Sequence, residues 1–209
     1  MKIVNIPTGM LQANTYLVCD EISRLGFIVD LGGYSKELKN IIEKNDIQIQ
    51  YIVLTHGHGD HIGGVQEHLK DFPDAKVVCS RAEEKMLLDP ELNEAHHFGP
   101  EKVSFKPDIL VDDGDTLTVG NMTMKFIMTP GHTEGGCCYY IGEEHVLFSG
   151  DTLFHNSIGR TDLPTGSGSE LVRSVREKLL VLPEDTRVYP GHMEETTISH
   201  EKKYNPFIS

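Results

Sequence analysis

The apolar positions of the chain fall in short, β-branched runs separated by turn residues, with helical stripes only between some of them. Residues 2–6, 14–19 and 25–30 read as three strands of an opening meander, and Asn5-Ile6-Pro7-Thr8-Gly9 and Asp20-Glu21 fit the turns between them. Asp30-Leu31-Gly32-Gly33 ends the third strand. Ser35 can then cap a helix running to about residue 45, with Leu38, Ile41 and Ile42 on one face. The run Tyr51-Ile52-Val53-Leu54 predicts a buried strand over 50–54. A helix over about 63–70, a strand over 76–79 and a helix capped by Ser80 and reaching residue 88 follow.

Residues 89–107 are the least regular stretch, either a loop over a site or a frayed connection. Strands resume over 108–128, with turns at Asp112-Asp113-Gly114-Asp115 and Gly120-Asn121. The strand over 125–128 ends in Thr129-Pro130-Gly131-His132-Thr133. A hairpin over 137–141 and 145–148 turns at Gly142-Glu143-Glu144 and runs into Ser149-Gly150-Asp151. Residues 155–168 read as a glycine-rich loop, and Thr165 or Ser169 starts a helix to about 182. The last strand, 186–189, ends in Pro190-Gly191-His192. A short helix over about 195–204 and Asn205-Pro206 close the chain. Strands alternating with helices in both halves, with no linker or low-complexity segment, predict one α/β domain over 1–209. Its expected form is two sheets packed face to face with helices outside. The phrase Pro-Gly-His, recurring after two strands, points to two related half-units.

The chemistry gathers where strands end. Residues 55–64 read Thr-His-Gly-His-Gly-Asp-His-Ile-Gly-Gly, which puts His56, His58, Asp60 and His61 within six positions. Gly57 and Gly59 let a tight loop aim several side chains at one point. A polar surface turn would also be rich in such residues, but His132, Asp151 and His192 also follow strands and supply partners. Five histidines and two aspartates exceed the needs of one four-coordinate zinc and suit two metal ions. His56 and His58, two apart, can point the same way. Asp60 and His61 can turn toward a second ion, and Asp151 is the natural bridge. Imidazole with some carboxylate suits zinc, with iron or manganese also fitting, and a cluster without cysteine argues against a structural zinc. Cys19, Cys79, Cys137 and Cys138 lack C-x-x-C spacing and are expected reduced and buried.

Composition narrows the partners. The chain has 209 residues, 38% hydrophobic and 24% charged, as expected of a globular protein. A formal net charge of −13 argues against nucleic acid as a partner. No stretch approaches the roughly 20 apolar residues of a membrane helix. The start, Met1-Lys2-Ile3-Val4-Asn5-Ile6-Pro7, has no apolar signal core, so a cytoplasmic location is expected.

The order His-x-His-x-Asp-His, Pro-Gly-His-Thr, Gly-Asp, Pro-Gly-His resembles the metallo-β-lactamase superfamily. Within it the chain is most similar to the glyoxalase II (hydroxyacylglutathione hydrolase) branch. Phe148-Ser149-Gly150-Asp151-Thr152-Leu153-Phe154, Gly159-Arg160-Thr161-Asp162 and Asn205-Pro206 carry that closer likeness. The resemblance implies an αβ/βα sandwich. It also implies His56, His58 and His132 on one metal, Asp60, His61 and His192 on the other, and Asp151 between. The expected reaction is hydrolysis of a small-molecule thioester by a hydroxide bridging two divalent ions, with Asp60 orienting the water or accepting its proton.

The branch carries a helical extension after its last ligand that grips glutathione. Here 17 residues follow His192, so recognition of glutathione is not implied. Arg160 is a candidate for binding an anionic substrate group, or an ion-pair partner of Asp162. Thr55, Thr129 and Thr133 either hold imidazoles or serve their turns. Rival readings are a persulfide dioxygenase with one iron on His56, His132 and Asp151, a lactonase or β-lactamase on the same centre, and a non-enzymatic metal module. His68, His145 and His200 read as surface or core residues, while His96, His97 and His155 sit in loops that could reach a pocket.

Overall fold

The computed structural model describes residues 1–100 and 102–208. It forms two six-stranded sheets, packed face to face. The first holds β1 (Lys2–Thr8), β2 (Ala13–Cys19), β3 (Leu25–Val29), β4 (Gln48–Val53), β5 (Lys76–Ser80) and β6 (Ile109–Val111) in sequence order. β1 to β3 are antiparallel neighbours, and β3 to β6 run parallel. The parallel part needs crossovers, which α1 (Lys36–Lys44), α2 (Gly59–Ile62), α3 (Val65–Asp71), α4 (Glu84–Leu88) and α5 (Ala95–Phe98) supply. The second sheet holds β7 (Thr116–Val119), β8 (Met122–Met128), β9 (Cys137–Ile141), β10 (Val146–Gly150), β13 (Arg187–Pro190) and β14 (Thr196–Thr197). Between β10 and its parallel neighbour β13 the chain makes a small hairpin, β11 (Leu153–Phe154) with β12 (Ser157–Ile158), and then α6 (Gly168–Ser174). A π-helical turn, Val175–Leu179, continues α6, and α7 (Ile198–Tyr204) follows β14.

The central strands are largely apolar because both of their faces are mostly buried. In β3, Phe27 and Val29 point between the sheets while Ile28 points to the outer core beside α1. In β9, Cys137 and Tyr139 face inward and Cys138 faces the core under α6 and α7. All four cysteines are free and buried. Phe148 sits at the middle of the inter-sheet layer, with ring centroids 5.3 Å from Tyr16, 6.3 Å from Phe27 and 5.5 Å from Tyr189.

The expected sandwich is the observed fold. Ser35 caps α1 as predicted, its Oγ accepting from Leu38 N at 3.2 Å. Four local expectations change. The helix expected over 63–70 is α3, starting two residues later, and a separate short helix, α2, forms inside the histidine loop, so Asp60 and His61 are helical. Ser167, one residue before α6, stands at its N-cap, where Thr165 or Ser169 was expected to start the helix. The final helix starts later because residues 196–197 pair with β13 first. The stretch 89–107, so far as it is described, is tied down rather than frayed. Buried Asn93 donates to Met86 O at 3.3 Å and Val103 O at 2.8 Å, and Asn93 O accepts from Gly59 N at 2.8 Å. Ala95 packs so closely on Gly59 that no side chain fits there. Among the described residues no helix is long and apolar enough to cross a membrane.

Phe148→Ala is expected to cost about 3–5 kcal/mol in urea unfolding, from lost burial and a cavity that two rigid sheets cannot close. Val181→Ala, at a position 70% exposed, is expected to stay within about 0.5 kcal/mol of the parent.

Candidate metal centre

Each candidate ligand sits just past the C-terminal end of a strand, and long-range contacts hold each loop in place. Past β4, Asp30 receives Thr55 N at 2.8 Å and Thr55 Oγ1 at 2.6 Å. Gly57 N donates to Glu83 Oε1 at 2.7 Å, and Thr133 Oγ1 donates to Glu83 Oε2 at 3.1 Å. One buried carboxylate therefore ties the histidine loop to the loop of His132. Burial pushes Glu83 up to about 7 against those donors. The loop of His192 is held by the first sheet: Asn14 Nδ2 reaches Pro190 O at 2.9 Å and Tyr16 Oη reaches the same oxygen at 2.7 Å. Asp151 leaves β10 through Gly150, whose φ is +49° and whose missing Cβ would strike Thr55. Gly131, at φ +140°, passes so close to Leu171 of α6 that only glycine fits.

These loops bring the seven expected donors together. His58 Nδ1 lies 2.9 Å from His132 Nε2, which lies 3.2 Å from His56 Nε2. His192 Nε2 lies 3.1 Å from Asp60 Oδ2 and 3.3 Å from His61 Nε2. Within each of these two groups one donor atom per residue falls inside a 4.8 Å span. Asp151 stands between them: Oδ2 is 3.7 Å from both His132 Nε2 and His192 Nε2, and Oδ1 is 3.5 Å from His61 Nε2.

The far nitrogens fix the tautomers. His132 Nδ1 donates to Arg160 O at 2.7 Å, and His61 Nδ1 donates to Asp30 Oδ2 at 2.9 Å. Thr55 gives its hydroxyl proton to Asp30, so it accepts from His56 Nδ1 at 3.1 Å. The facing Nε2 atoms of His56 and His132 then both carry lone pairs. Lone pairs so close repel unless positive charge sits among them. Asp151 Oδ1 is buried and has no hydrogen-bond partner among the described residues. Both observations fit divalent cations held by this donor set.

The two groups differ in charge. Burial and the neighbouring imidazoles hold His56 far below the usual histidine range, and burial with His132 lowers His58 to about 3. Burial lowers His132 as well, against the pull of Asp151. That group stays neutral. Burial also acts on His61, but Asp60, Asp151 and Asp30 outweigh it and raise the imidazole to about 10. Burial would raise Asp60, yet His61 and His192 keep it far below the carboxylate range. The second group thus sits in the more negative surroundings.

A cavity of about 260 Å³ opens onto the donors. His58, Asp60, His132, Asp151 and His192 form its floor, and Leu11, Phe98, Phe154 and Leu163 its apolar walls. Arg160 lies at the rim, its guanidinium paired with Asp162 through Nε–Oδ1 at 2.7 Å and Nη2–Oδ2 at 2.8 Å. Of the three candidate threonines, Thr55 touches an imidazole, while Thr129 pairs with Thr152 at 2.9 Å and Thr133 with Glu83. Sequence reasoning missed Asp30, Glu83 and Phe98. Asp30 gave one signal, a carboxylate at a strand end before two glycines. His145 faces Asp185 across an exposed turn, and buried His68 accepts from Ser35 N at 3.1 Å.

The family model described as "Metallo-beta-lactamase superfamily" matches residues 8–192. The chain is 36% identical to "Hydroxyacylglutathione hydrolase GloC" of Haemophilus influenzae, over 100% of this chain and 99% of that protein. Among solved structures it is similar to the BLEG-1 B3 metallo-beta-lactamase, with TM-score 0.93, 37% identity and both chains fully covered. It is also similar to TTHA1623 in a di-iron-bound form, with TM-score 0.86 and 31% identity over 98% of this chain and 99% of that one.

Asp30→Asn is expected to weaken metal retention by about 10–100-fold in chelator competition, because it removes the acceptor that orients His61. Unchanged retention would mean that the imidazole keeps its aim without that carboxylate.

Proposed function

This chain belongs to the metallo-beta-lactamase superfamily, and from that premise we propose that it is a metal-dependent hydrolase of the glyoxalase II type, acting on thioesters. The observation that carries the reading is the paired donor set, His56, His58 and His132 beside Asp60, His61 and His192, with the Asp151 carboxylate between them. These residues would hold two divalent ions, zinc first, with iron supported by the di-iron relative. Bound there, the ions supply Lewis acidity and a water that ionises near neutral pH.

The chain's own residues do the rest. Asp60, ionised across the working pH range, would orient the attacking water through its carboxylate. The carbonyl of Arg160 and the carboxylate of Asp30 keep His132 and His61 in the ligand tautomer. Leu11, Phe98, Phe154 and Leu163 seat the acyl group and keep bulk water from it. The cavity is small for a drug-sized ligand, which supports a short acyl group. Arg160 meets an anionic part of the substrate from the rim, with Asp162 fixing its plane.

The second reading is one iron on His56, His132 and Asp151, as in a persulfide dioxygenase, and those three do converge. It leaves Asp60, His61 and His192 idle, although they gather just as closely.

Purified protein is expected to carry two divalent ions per chain and to hydrolyse S-D-lactoylglutathione or a short neutral acyl thioester. One iron per chain, with oxygen uptake on glutathione persulfide, would decide for the second reading. A β-lactam or a lactone as the sole substrate would keep the centre and replace the acyl group. Asp151→Ala is expected to lose both ions and at least about a hundredfold in turnover. His192→Ala should empty the site it shares with Asp60 and His61 before the other. Equal loss at both sites would show the ligands to be wrongly apportioned.

A further inference from the structure

A separate group of donors lies between the β11–β12 hairpin and α7. His155 and Asn156 form the hairpin turn, and His200 and Glu201 lie in the first turn of α7. His155 Nδ1 is 2.7 Å from Glu194 Oε1, so that nitrogen carries the proton and donates it. Its Nε2 therefore holds a lone pair, and it faces His200 Nε2 at 3.1 Å. Asn156 Oδ1 lies 2.9 Å and Glu201 Oε1 3.9 Å from the same His200 nitrogen. Glu201 is fully buried, and Asn205 Nδ2 and Asn156 N hold its Oε2 at 2.7 Å and 3.0 Å while Thr196 Oγ1 donates to its Oε1 at 2.5 Å.

A carboxylate on the far nitrogen of an imidazole is the arrangement that aims metal-binding histidines. His200 can carry its own proton on Nδ1 without moving a heavy atom, which frees its Nε2. Two imidazole nitrogens with carboxylate and amide oxygens form a mixed set suited to borderline divalent ions. Both imidazoles are about one-third exposed, at 29% and 33%, so the group is open to solution.

We propose that His155, His200, Glu201 and Asn156 bind a zinc-class divalent cation outside the seven-residue centre. The cation ties the β11–β12 hairpin to α7. That hairpin carries Phe154 on the cavity wall, and Glu194 lies two residues beyond His192, so the cross-link braces one side of the cavity. The site does not depend on which reaction the main centre performs.

The test is equilibrium dialysis of the metal-loaded protein against micromolar zinc, read as zinc per chain. The parent is expected to take up one equivalent more than the His155→Gln/His200→Gln variant. His96→Gln/His97→Gln, which alters the exposed pair near Glu94, should keep that extra equivalent. Glu194→Gln removes no ligand and should weaken the extra equivalent by about tenfold or more. Equal zinc content in the parent and the His155/His200 variant overturns the site. So does an unchanged affinity in Glu194→Gln, which stands as the test if the double variant does not fold.

Discussion

Unshared electron pairs are crowded together where the strands of two sheets end, and the crowding is tolerable only with positive charge among them. His56 and His132 face each other with lone pairs at 3.2 Å, and Asp151 holds a buried oxygen with no hydrogen-bond partner among the described residues. Left in an apolar interior, such groups would repel and would lack hydration. The surrounding contacts work to keep them crowded. Asp30, the Arg160 carbonyl and Thr55 occupy the far nitrogens and prevent the rings from turning away. Glu83 locks two of the contributing loops to each other. These contacts hold the candidate donors in place.

The sandwich makes that crowding affordable in folding terms. Each sheet buries both faces, so the loops leave a stiff platform, and the inter-sheet layer around Phe148 fixes how far apart the two sets of strand ends lie. Local steric limits then refine the aim. Gly150 and Gly131 allow approaches to Thr55 and Leu171 that any side chain would block. Contacts from the first sheet to Pro190 bring the loop of His192 across the gap between the sheets.

Electrostatic asymmetry separates the two halves of the centre. The trio His56, His58 and His132 stays neutral under burial, while three carboxylates surround His61. One half therefore offers neutral imidazoles, and the other is set among negative charge. Above them the walls are apolar, and Arg160 at the rim is paired with Asp162. This division places the polar groups on the floor of the cavity and the apolar side chains Leu11, Phe98, Phe154 and Leu163 on its walls.

The sequence by itself pointed to most of the strands, the sandwich class and the seven candidate donors, because those features are written in local periodicity and in dense ligand motifs. The run Tyr51-Ile52-Val53-Leu54 and the two Pro-Gly-His phrases are legible without any long-range information. Tertiary structure alone decided what holds the donors. Asp30 serves His61, 31 positions away, only because β3 and β4 run parallel with their ends level. Nothing local separates it from an ordinary turn aspartate. Glu83 looks like a helix-start residue until the fold buries it between two loops. Packing likewise resolved the open choices. Asn93 and the fit of Ala95 on Gly59 tie the described part of the irregular stretch down beside the site, and the Arg160 carbonyl takes His132 while its guanidinium pairs with Asp162. A motif records which atoms can bind, whereas their orientation depends on partners that chain topology brings near.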